Sequence, residues 1–124
     1  RKNMGLKNDI VLNLREPDAA KIKIITVEGE LEMFTSIKLK KYLDNLIEEG
    51  INRLILDFES MTYINSLGLG ILTEILKKSK KDGGAIVLIN LSDEVRKIFE
   101  ITKLVKFFKI FNTEKEAVNY LNTI

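Results

Sequence analysis

The stretch Leu54-Ile55-Leu56-Asp57-Phe58-Glu59-Ser60-Met61-Thr62-Tyr63-Ile64-Asn65-Ser66-Leu67-Gly68-Leu69-Gly70 decides how this chain folds. Leu54 to Leu56 is a short continuous apolar run with no helical room on either side. Such a run suits a central strand covered on both faces. Asp57 to Asn65 reads as a loop at the carboxyl end of that strand. A helix is expected from about Ser66 to Lys80, because Gly68, Leu72, Ile75, Leu76 and Ser79 share one side of it.

Working outward, Ile10, Leu12 and Leu14 alternate with polar neighbours, Val11 excepted, as in a strand with one buried face. Glu16 to Ala19, with Pro17, reads as a turn. Ile22 to Val27 is a second strand, paired antiparallel to the first and ended by Glu28-Gly29-Glu30. Leu39, Leu43, Leu46 and Ile47 predict a helix over about Thr35 to Glu49, with Gly50 as its stop.

Beyond the opening stretch, Asp82-Gly83-Gly84 is a turn and Ala85 to Ile89 a buried strand. Ser92 caps a helix carrying Val95, Ile98, Phe99 and Thr102 on one face. Phe107 to Ile110 is a last, weaker strand. Thr113 and Glu116 form a capping box ahead of a helix with Ala117, Val118 and Leu121. The order is β-β-α-β-α-β-α-β-α. After the opening hairpin, strands and helices alternate, which implies a mixed, mostly parallel sheet packed with helices: a single α/β domain. Its expected extent is 4–124, with Arg1 to Asn3 ahead of Met4 read as an expression remnant.

Composition narrows the function. The chain has 124 residues, 45% hydrophobic and 31% charged, as in an ordinary globular domain. No apolar run approaches membrane-spanning length, and no secretory signal opens the chain, so a cytoplasmic protein with no membrane partner is expected. The formal charge is +2, and Arg1 and Lys2 alone account for it, so nothing points to nucleic acid. Cys and His are absent, which removes the usual nucleophilic triads and dyads and the commonest zinc ligands. No catalytic residue, metal or cofactor is therefore assigned, and an enzyme is not expected.

Ser66 lies at or next to the N-cap of its helix. A phosphate placed there would meet free backbone N–H groups and the positive end of the helix dipole. Gly68 and Gly70 leave the first turn bare, open to close approach by a partner. The plainer alternatives are a Ser that only caps and glycines that only permit close packing. Glu30 and Glu32 can contact a partner or form a solvated turn. Asp57 and Glu59 can be read as a metal pair, but an Asp capping a turn fits better. Gly68-x-Gly70 lacks the third glycine of a dinucleotide fingerprint, and no P-loop is present.

The run from Leu56 to Gly70 resembles the signature of the STAS-domain anti-sigma-factor antagonists, in which an apolar strand ending in Asp leads to Asp-Ser-x-Gly-Leu. Val27-Glu28-Gly29-Glu30-Leu31-Glu32 is similar to the family's second patch, and the element order matches from Leu6 to Leu121. The resemblance implies a STAS-like fold and a bacterial partner switch. The unphosphorylated domain would bind an anti-sigma factor with serine kinase activity and release a sigma factor. Phosphorylation of Ser66 would end the complex, and a phosphatase would reset it. Glu30, Glu32, Asp57, Glu59, Asn65, Leu67, Gly68 and Leu69 would form the partner-binding surface. Asn65 stands where the family has Asp, keeping size and capping ability but losing the charge. The alternatives are a non-phosphorylated scaffold or a small-ligand or nucleotide-binding STAS-like domain. Against the latter, no Lys or Arg stands beside the loop.

Overall fold

The computed structural model describes residues 9–17 and 21–124. Its strands are β1 (Val11–Arg15), β2 (Ile22–Leu31), β3 (Arg53–Asp57), β4 (Met61–Ile64), β5 (Ala85–Ile89) and β6 (Ile110–Phe111). Its helices are α1 (Met33–Glu48), α2 (Ser66–Lys81), α3 (Asp93–Ile101) and α4 (Glu114–Leu121), with a 3-10 turn at Leu104–Lys106. Asp18 and Ala19 of the expected turn, Leu6, and the boundary at Met4 lie outside the described residues.

The sheet runs β1-β2-β3-β5-β6, with β4 paired to β2 off that path. β1 is antiparallel to β2, and every other pairing is parallel. The alternation of side chains along the strands explains the layers. Ile25, Val27, Leu54, Leu56, Ile86 and Leu88 face a large core completed by Leu39, Leu43, Leu72, Ile75 and Phe99 from α1, α2 and α3. Ile22, Ile24, Ile55, Val87 and Ile89 face the other way, onto Ala117 and Leu121 of α4. β3 is thus covered on both faces, as its unbroken apolar run requires.

Two expectations change. β2 does not stop at Gly29 but continues to Leu31. Gly29 has φ +119 and marks a register shift in the pairing with β4, a β-bulge that bends the strand. The bent end pairs with residues 61–64, so part of the expected loop from Asp57 to Asn65 is the strand β4. β3 and β4 follow one another along β2: Thr26 lies opposite Asp57, and Leu31 opposite Ile64.

The expected strand at Phe107–Ile110 is also displaced. Lys103 takes a left-handed conformation (φ 62), and the chain then makes the 3-10 turn. Phe108 turns inward to meet Phe99 edge to face, with ring centroids 5.3 Å apart. The late aromatic run therefore records a core contact, and only Ile110–Phe111 pairs with β5.

Candidate functional site

The parallel pairing of β2 with β4 brings the starts of α1 and α2 together. Asn65 N–H donates to the Leu31 carbonyl (3.1 Å), which joins the exits of the two strands. Glu32 caps α1: its carboxylate accepts from Thr35 N–H (2.9 Å), while the Thr35 hydroxyl accepts from Glu32 N–H (2.9 Å). That hydroxyl also donates to the Glu30 carbonyl (2.7 Å), tying the end of β2 to the first turn.

Asn65, not Ser66, is the N-cap of α2, and its Oδ1 accepts from Gly68 N–H (2.9 Å). This placement decides what Ser66 can do. As the first helical residue it is exposed, and its hydroxyl takes no hydrogen bond among the described residues. The amides of Ser66 and Leu67 likewise find no protein acceptor among the described residues, as expected for a helix start. The plainer reading of Ser66 as a simple cap is set aside: the capping is done by its neighbour.

The other expected contact residues divide. Leu67 is 54% exposed, and Glu30, Glu32 and Asn65 are half-buried within a few residues of Ser66 along the paired strand ends. Gly68 and Leu69 are buried instead. A Cβ at position 68 would lie 2.6 Å from the Leu31 carbonyl oxygen, so Gly68 is there for close packing and not for a partner's approach. Gly70 is exposed with nothing near it.

Asp57 is buried as well. It is 6% exposed, and its Oδ1 accepts from Glu59 N–H (3.0 Å) and Asn90 Nδ2 (3.2 Å). Arg15, 3.8 Å from its other oxygen, reaches past it to Glu114 at 2.7 Å. The hydrogen bond to Glu114 is the main reason the Arg15 guanidinium is held more firmly protonated than usual. Asp57 is a turn cap. Glu59 is exposed, but it precedes β4 whereas Ser66 follows it. Four residues of strand therefore separate them, about 13 Å at the usual rise. Among the described residues no three carboxylate, His or Cys side chains gather as a metal site would need.

Sequence reasoning missed the largest feature of this face. Met33 (42% exposed), Phe34 (71%) and Ile37 (50%) on α1, and Tyr63 (48%) on β4, are exposed like Leu67, on elements whose ends the β2–β4 pairing brings together. The signal was present. At about 100° per residue, Phe34 and Ile37 fall opposite Leu39, Leu43 and Leu46, so they cannot belong to the core. Large apolar side chains exposed together mark an interaction site. No Lys or Arg occurs from Glu28 to Ile37 or from Asp57 to Leu76, so the face is apolar and acidic.

Comparison with known proteins agrees with this geometry. The STAS domain family matches residues 12–117. The anti-sigma-B factor antagonist of Listeria monocytogenes is 34% identical over 109 residues, covering 87% of this chain and 94% of the relative. The crystal structure of a candidate anti-sigma factor antagonist from Thermotoga maritima superposes with a TM-score of 0.81 at 25% identity, covering 90% of this chain and 94% of that one. The anti-sigma factor antagonist SpoIIAA in its unphosphorylated form, a Bacillus protein, shares the fold with a TM-score of 0.74 at 23% identity, over 92% and 98% of the two chains. With sequence motif, sheet topology and relatives in accord, this chain belongs to the STAS-domain family, in the group of the anti-sigma-factor antagonists.

Proposed function

We propose that this chain is an anti-sigma-factor antagonist that docks on an anti-sigma factor through the face around Ser66, and that phosphorylation of Ser66 by that partner ends the docking. The reading rests above all on the exposed, unbonded hydroxyl of Ser66, next to exposed Leu67 at the start of α2, with exposed Met33 and Phe34 at the neighbouring start of α1. The acidic and apolar surroundings suit a partner that offers a hydrophobic recess. A serine kinase acting on Ser66 needs an accessible hydroxyl, and a phosphatase that restores it needs the same access.

The physics of the switch can be ordered by size. A phosphoserine carries about −1.5 to −2 charges at neutral pH. The start of α2 favours an anion by about 0.3–1 kcal/mol, up to ~2 in the best geometries. Glu30 and Glu32 oppose it through partly screened repulsion, of order 1 kcal/mol per pair near a wet surface. Covering a dianion with apolar side chains costs several kcal/mol per charge. Desolvation therefore dominates, and the phosphate is tolerated free but not beneath a partner. A loss of ~3 kcal/mol weakens a complex more than about 100-fold.

The test is incubation with the cognate anti-sigma factor and ATP, followed by mapping of the product by mass spectrometry. Phosphate is expected on Ser66 alone, and Ser66→Asp should reduce affinity by about 100-fold or more in calorimetry while the fold persists. Phosphate on another residue, or unchanged affinity of Ser66→Asp, contradicts the proposal. If Asn65 removes a carboxylate the kinase needs, the wild-type chain stays unmodified and Asn65→Asp restores modification. Absence of phosphate from both proteins refutes the switch.

A further inference from the structure

A recess lies at the far end of α2 from Ser66. Because β6 begins only at Ile110, the stretch of β5 from Ala85 to Val87 has no strand on its outer edge among the described residues. Val105 to Lys109 and that edge together line a cavity of about 300 Å³. Its walls include the buried side chains of Leu76, Ile86 and Phe108.

The charged side chains lining this apolar recess are of one sign, although the main-chain oxygen of Ile124, which accepts from Arg53 (2.6 Å), is close by. Lys80, Lys106 and Lys109 line it, and no Asp or Glu does. Elsewhere four lysines are matched, Lys38 with Asp9, Lys40 and Lys78 with Asp44, and Lys23 with Glu16, while the other lysines lie exposed without an ion pair among the described residues. None of the three at the recess has an ion pair among the described residues, and the ring of Tyr120 below Lys109 (5.7 Å) is the one partner offered. Position at a helix C-terminus suits Lys80 through the dipole, and Lys106 ends the short 3-10 turn, but Lys109 lies on no helix. An apolar floor with unmatched cations at its rim complements a molecule that is greasy at one end and anionic at the other. The volume is at the lower end of ordinary ligand cavities, of order 300–1,000 Å³, so the guest is small.

We propose that this recess binds a small amphipathic anion, a monocarboxylate with a single alkyl tail, independently of the face around Ser66. Decanoate is the probe, added to the isotope-labelled full chain while backbone amide resonances are followed by NMR. Saturable shifts are expected at Ile86, Val105, Phe108 and Lys109, with a Kd of about 1 mM or tighter. Decyltrimethylammonium, with the same tail and the opposite charge, should bind at least about tenfold more weakly, a difference one favourable ion contact supplies. Lys106→Gln combined with Lys109→Gln should weaken decanoate by a similar factor while leaving the spectrum folded. Equal binding of the two probes, shifts centred on Phe34 and Leu67, or no saturation by about 5 mM would each overturn the proposal. Retention on phosphatidylglycerol vesicles without any response to decanoate would overturn it in favour of a membrane contact.

Discussion

Gly68 and Gly70 stand two residues apart in the first turns of α2 and meet opposite surroundings. A methyl group at 68 meets the Leu31 carbonyl oxygen at 2.6 Å and the Ser36 hydroxyl at 3.1 Å, so backbone must move. Gly68→Ala should destabilise the fold by about 1–3 kcal/mol, the usual range for overpacking. Gly70→Ala adds a methyl into open space on a helix and should stabilise by about 0.5–1 kcal/mol. Urea unfolding of the two variants checks the pair, and equal effects would contradict the packing. Asn65 is a third residue-scale case. Asn65→Ala removes the acceptor for Gly68 N–H and should cost about 1 kcal/mol, whereas Asn65→Asp keeps it. Thermal unfolding separates these outcomes, and it separates the capping role of residue 65 from any role in recognition by a kinase. Caps of this kind are legible from sequence: Ser92 and Thr113 cap as their spacing implies. Which of Asn65 and Ser66 caps was not legible, because both side chains are competent and one residue of helix phase decides between them.

At the scale of the element, α1 and α2 are held side by side by more than their apolar faces. Asp44 on α1 accepts from Lys40 one turn away (2.9 Å) and from Lys78 on α2 (3.3 Å). Burial is the largest single influence on this carboxyl and pushes it up. The hydrogen bonds and charges of the two lysines together outweigh burial and hold it below its ordinary value. A carboxyl depressed in the folded state stabilises above its unfolded-state value, and that stability is lost as pH falls through the folded-state value. Asp44→Asn should therefore cost up to about 1 kcal/mol near neutrality, less at high salt. The gap between variant and wild type should close on acidification through the carboxylate range. Chemical denaturation across pH measures this, and a gap that widened in acid would contradict the ion pairs. The helices and β3 and β5 were legible from apolar spacing and glycine stops. β4 was not, because four residues acquire strand form only beside a partner, here the end of β2 beyond the bulge at Gly29.

At the scale of the molecule, the proposed docking face draws on three elements: Met33, Phe34 and Ile37 from α1, Tyr63 from β4, and Ser66 and Leu67 from α2. Phe34→Ala and Leu67→Ala remove exposed side chains, so each should change stability by no more than about 0.5 kcal/mol. Each should also weaken binding to the anti-sigma factor by about tenfold, as truncation of an apolar anchor does. Calorimetric titration beside thermal unfolding tests this. Unaltered affinity, or a loss of affinity matched by a loss of stability, would remove these residues from the interface. The sequence alone determined the alternation of strands and helices, the faces that form the two cores, and the position of Ser66 at a helix mouth. These depend on side-chain periodicity and on neighbours within one turn. Tertiary structure alone decided that Asp57 and Leu69 are inside, that Glu59 lies a strand's length from Ser66, and that the start of α1 with Phe34 meets the start of α2 with Leu67. Burial and juxtaposition across some thirty residues of chain depend on which strands close against each other, and no local pattern carries that information.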